Sequence, residues 1–107
     1  MDRVMALETE DMHYSLPMSQ ICPNSPNAKI LDCFLSNYRI EQELEHVIQF
    51  TGLEKDEVAQ GIGLLVDAKL IEKTPSGYIT NFKSDRLVGL YSYYRATLGS
   101  NLANMFV

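Results

Sequence analysis

Thr51-Gly52-Leu53 constrains this chain more than any other stretch. Apolar residues recur at helical spacing on both sides of it: Leu44, Val47 and Ile48 before, Val58, Ile62, Leu65 and Val66 after. A glycine between two such segments supplies the positive φ with which helices commonly end. Leu53 then returns the chain toward the core. The spacing predicts one helix over 41–50 and another over 54–68, joined by a tight bend. Gly61 and Gly63 weaken the second helix by roughly 1 kcal/mol each relative to alanine.

The flanks extend the pattern. Pro23-Asn24-Ser25-Pro26-Asn27 is a breaker. After it, Asn27, or Ser25 before it, can cap a helix with Ile30, Leu31, Phe34 and Leu35 on one face, ending at Ser36-Asn37. Leu70–Thr74 and Tyr78–Phe82 flank Pro75-Ser76-Gly77 and read as a β-hairpin. Ser84 can cap a final helix, with Asp85 favourable at its positive end. Along that helix Leu87, Tyr91, Tyr94, Leu98, Leu102 and Met105 recur at spacings of three and four, and Gly99 can interrupt it. Before the breaker, Met12, Tyr14, Leu16 and Met18 alternate with His13, Ser15 and Pro17. That period of two predicts an extended arm, which Pro17 confines to an edge.

The chain has 107 residues, 46% of them hydrophobic, which is material for one domain. No apolar run approaches the ~18 residues of a membrane span, so a soluble cytoplasmic protein is expected. His13 and His46 have no partner at metal-ligand spacing, and no metal or cofactor is expected. Cys33 fits a small core residue and Cys22 a loop thiol. Gly61-Ile62-Gly63 lacks the context of a phosphate loop. No catalytic constellation emerges, so the chain is not read as an enzyme. Tyrosines and methionines between the last helix and the arm could line an effector site, with nothing to identify its ligand.

Charge is unevenly spread. The formal net charge is −5, and residues 41–57 alone carry Glu41, Glu43, Glu45, Glu54, Asp56 and Glu57 against Lys55. That segment holds as much excess negative charge as the whole chain.

Leu44, Val47-Ile48, Thr51-Gly52-Leu53, Val58, Ile62, Leu65 and Ala68-Lys69-Leu70-Ile71 together resemble the bacterial and archaeal winged-helix transcriptional regulators of the MarR- and ArsR-like superfamily. Asn27-Ala28-Lys29-Ile30-Leu31-Asp32 is similar to the first helix of archaeal members. The resemblance covers residues 27–83. It implies a mainly α fold with a small β-hairpin: a winged helix-turn-helix with a three-helix core, a wing and a C-terminal interface helix. The organisation expected is an N-terminal arm over 1–26, the winged domain over 27–83 and a dimerisation helix over 84–107. The function implied is DNA-binding transcriptional regulation by a homodimer. Lys55, Gln60 and Gly63 would face double-stranded DNA, with Lys73 and Tyr78 on the wing and Lys29 and Arg39 touching backbone. Leu87, Tyr91, Tyr94, Leu98, Leu102 and Met105 would form the dimer interface.

The chain departs from that family at one place. Recognition helices there usually begin with Ser, Thr and Arg, whereas this one begins Glu54-Lys55-Asp56-Glu57. Three acids against one lysine oppose the phosphate neutralisation that supplies most non-specific affinity. Glu54 also stands where serine is the better cap. The plain account of the cluster is a helix start facing water, where acids favour the dipole. The functional alternative is a winged helix that meets a basic protein partner through its acidic surface, without binding DNA.

Overall fold

The computed structural model describes residues 16–105, with side chains described over 16–100. In chain order the elements are α1 (Pro17–Ile21), α2 (Pro26–Ser36), α3 (Leu44–Thr51), α4 (Lys55–Asp67), β1 (Ile71–Thr74), β2 (Gly77–Thr80) and α5 (Asp85–Met105). Helices α2, α3 and α4, the antiparallel hairpin and the terminal helix follow winged-helix topology, with the short α1 added before them. Among the described residues no helix is long and apolar enough to cross a membrane.

Local chemistry sets most boundaries. Ser25 Oγ accepts the N–H of Ala28 at 3.2 Å, and Pro26 occupies the first turn, where its missing N–H costs nothing. Gly52 ends α3 in the left-handed region at φ 72°. Ser84 Oγ accepts the N–H of Leu87 at 3.3 Å at the start of α5. The hairpin pairs Ile71 with Thr80 and Thr74 with Gly77, leaving Pro75-Ser76 as the turn.

Two expectations need correction. Helix α3 begins at Leu44, not Glu41, because Gln42 is drawn into an antiparallel bridge with Tyr78. The segment around Pro17 is a short helix rather than an extended arm. Its alternating pattern fails because Pro17 opens the helix, and Pro17 and Met18 are both buried. The expected strand residues Met12, His13 and Tyr14 lie outside the described residues.

The core has two parts that share α2. Ile30, Cys33 and Phe34 pack with Val47, Val58, Ile62, Leu65 and Ile71 on one side. Ala28 and Leu35 pack with Met18, Leu87 and Tyr94 on the other. The apolar stripe of α5 therefore lies against its own chain. Leu87 and Tyr94 are 0% and 3% exposed, and Tyr91 and Leu98 are half-buried on the same cluster. Tyr94 OH is hydrogen-bonded to Ser36 Oγ, and the Tyr91 ring stacks on Tyr38 with centroids 3.7 Å apart. Leu87 and Tyr94, two of the residues expected at a dimer face, are instead covered by the chain's own second core, while Tyr91 and Leu98 lie partly buried against it. The side chains of Leu102 and Met105, the last of the expected dimer residues, lie outside those described.

Asp32 ties α1 to α2. Its side chain is almost fully buried, at 1% exposure. One carboxylate oxygen accepts the N–H of Met18 at 2.9 Å; the other accepts the N–H and hydroxyl of Ser19 at 3.0 and 2.6 Å. Burial pushes this carboxyl above its usual value, against the lowering effect of those bonds. The folded protein thus holds the Asp32 proton more tightly than the unfolded chain does. The resulting stabilisation is complete below the unfolded pKa, about 3.9, and is lost as pH rises through the raised folded value.

Two outcomes are expected from denaturation over a pH series. Asp32→Ala strands the Met18 and Ser19 donors and should cost about 2–4 kcal/mol near neutral pH. Asp32→Asn should abolish the part of the wild-type stability loss that sets in as pH rises from about 4.

Candidate functional site

The turn at Gly52 places α4 across α2, with Val58, Ile62 and Leu65 buried and the opposite side in water. Glu54 and Glu57 form a capping box at its start, and Glu57 Oε1 accepts the N–H of Glu54 at 3.2 Å. The bond that closes this end comes from the Glu57 carboxylate. These two acids occupy the helix end where a phosphate would otherwise find free amides.

Spacings of four, three and four put Asp56, Gln60, Gly63 and Asp67 in one outward row, and all four are exposed. Leu64 beside them is 52% exposed. The hairpin stands next to this row. It is anchored at its tip end by Gln42 N–H to Tyr78 O at 2.7 Å and Tyr78 N–H to Gln42 O at 2.9 Å. Thr74 Oγ1 donates to the Glu41 carboxylate. Gly77 is required here because a Cβ would run into the carbonyl of Gln42. Glu54, Asp56, Glu57 and Asp67 are exposed on α4 with Lys55, while Glu41, Glu43, Glu72 and Lys73 are exposed on the hairpin and the segment before α3.

Of the residues expected to touch DNA, the fold brings Gly63, Lys73 and Tyr78 around one groove between α4 and the hairpin. Lys55 and Gln60 stand exposed on α4, and Tyr78 is half-buried against the core. Arg39 is elsewhere. Its backbone is left-handed at φ 65°, its N–H donates to Thr80 Oγ1 at 2.9 Å, and its guanidinium lies 4.2 Å from the Phe82 ring centroid. It braces the base of the hairpin. Lys29 sits on α2, outside the groove lining.

Sequence reasoning singled out Gly63, Lys73 and Tyr78 but missed the groove they line, because the approach of the hairpin to α4 that forms it depends on tertiary packing. The exposed Ala59 beside it was the available signal. Among the described residues no group of three or more His, Cys, Asp or Glu could hold a metal. Cys33 is buried, and desolvation pushes its thiol up to about 12. A second hollow of about 200 Å³ lies beside α1, lined by Met18, Ile21, Cys22, Ala28 and Leu31, not by α5. No family model matches the chain, and no curated protein or solved structure matches it either.

Gly77→Ala should separate the wing from Gln42 at about 1–3 kcal/mol. Amide exchange checks it: protection at Gln42 and Tyr78 should fall, while the N–H groups of Cys33 and Phe34 in α2 stay protected.

Proposed function

We propose that this chain is a protein-interaction winged helix whose α4–wing face binds a basic partner protein. The observation that carries this is the outward row on α4, where Asp56 and Asp67 stand at either end of Gln60 and Gly63. A helix that enters DNA approaches a dense row of phosphates. Two lysines, Lys55 and Lys73, would give a salt slope of only about −1.8 even before the carboxylates subtract from it. Binding carried by 6–10 phosphate contacts, by comparison, loses roughly 10³–10⁵ in affinity between about 50 and 200 mM salt. The capping carboxylates of Glu54 and Glu57 add to the repulsion at the leading end of the helix. The exposed Leu64 suits a protein surface better than a phosphate backbone.

Duplex DNA is the second candidate partner. It is favoured by the shape of the face: an exposed helix with a wing beside it, Gln60 able to pair with adenine and Lys55 with guanine. A regulator of that kind would act as a homodimer. Its copies would have to meet through the outer side of α5, where Val88 and Tyr93 are exposed, since the inner stripe is occupied.

Titration against a mixed-sequence duplex separates the two. At about 50 mM salt the wild type should bind more weakly than ~10⁻⁴ M, and the double variant Asp56→Lys, Asp67→Lys should move into the non-specific range of ~10⁻⁴–10⁻⁶ M. Micromolar wild-type binding that the double variant leaves unchanged would return the assignment to a DNA-binding regulator.

A further inference from the structure

The row of carboxylates borders a hollow. Between α4 and the hairpin lies an open cavity of about 290 Å³, walled by Leu44, Ala59, Ile62, Val66 and Tyr78 with Gly63 beneath, and charged only by Asp67 and Lys73. Small residues on α4 make the space. A Cβ at Gly63 would meet no atom within 4 Å, whereas one at Gly61 would collide with Ile30 and Asn27. Close packing accounts for Gly61. Gly63 costs the helix roughly 1 kcal/mol and answers to nothing inside the fold.

We propose that this groove seats one bulky apolar side chain, aromatic or leucine-sized, from a basic segment of a partner protein. The proposal rests on the protein-docking assignment above and names the anchor that docking would use. The size fits. The cavity falls just under the ~300–1,000 Å³ of enclosed small-molecule sites and is open along one side, so its occupant can arrive attached to a chain. Single aromatic or aliphatic anchors in such pockets carry much of the energy of protein interfaces. Charge complementarity selects the flanks: Asp67 lines the groove, Asp56 lies three turns before it on the same row, and Glu43 immediately precedes Leu44. Lysine or arginine on either side of the anchor would meet them. Lys73 can donate to a main-chain carbonyl of the incoming segment.

The protein contains no tryptophan, so a tryptophan in a probe peptide reports alone. Three short synthetic peptides suffice: arginine-flanked with a central tryptophan, arginine-flanked with a central alanine, and glutamate-flanked with a central tryptophan. The first should bind with a blue-shifted emission. The second, read by its displacement of the first, should bind at least about tenfold more weakly, a loss of about 1.4 kcal/mol, and the third should not bind. Gly63→Leu fills the hollow and should weaken the first peptide at least about tenfold while the thermal midpoint holds or rises. Ala59→Leu serves as a second plug from the same wall. Equal binding of the first peptide to wild type and to a folded plug variant overturns the groove assignment but leaves acidic-face docking standing. Failure of both arginine-flanked peptides to bind overturns both. Binding of a mixed-sequence duplex that the plugs abolish gives the groove to nucleic acid and overturns the proposal.

Discussion

Everything in this structure hangs on α2 being buried on two sides. Ile30, Cys33 and Phe34 need one apolar wall, and Ala28 and Leu35 need another. A helix of this kind cannot remain at the surface of a three-helix unit. The first wall comes from α3, α4 and β1; the second comes from α1 and the front half of α5. The arrangement therefore fixes which parts of the chain are spent on stability and which stay free. The inner stripe of α5 is spent, and the outer side of α4 is free.

Asp32 shows how the second wall is held. A buried carboxylate is expensive unless its oxygens are satisfied, and here three donors from Met18 and Ser19 satisfy them. The same bonds cap a helix of five residues that could not stand alone in water. Asp56 and Asp67 have the same chemistry and the opposite surroundings. They sit in solvent without that task, so their charge is available to whatever approaches α4.

Shape and charge pull the candidate face in different directions. Its shape, a projecting helix with a wing pinned to Gln42, suits insertion into a groove or contact with another protein. Its charge distinguishes between those partners, because phosphates and carboxylates repel. Fold alone does not choose, since one scaffold hosts both uses. Gly63 and Ala59 add a feature neither shape nor net charge describes, an apolar hollow sized for one side chain.

How much of this was legible in the sequence follows from the range of the interactions involved. The turn at Gly52, the caps at Ser25 and Ser84 and the hairpin around Pro75-Ser76 were readable, because each is settled by residues within about four positions. The acidic start of α4 at Glu54, Asp56 and Glu57 was readable too, as a cluster in the sequence itself. The helix at Pro17 was not, because its capping carboxylate lies 14 residues away in Asp32. Nor was the late start of α3, which depends on Gln42 meeting Tyr78 across the fold. Periodicity along α5 determined that Leu87, Tyr91 and Tyr94 would be covered. Only the tertiary structure decided that this chain's own α1 and α2 cover them, because an apolar stripe specifies burial and carries no address for the surface that buries it.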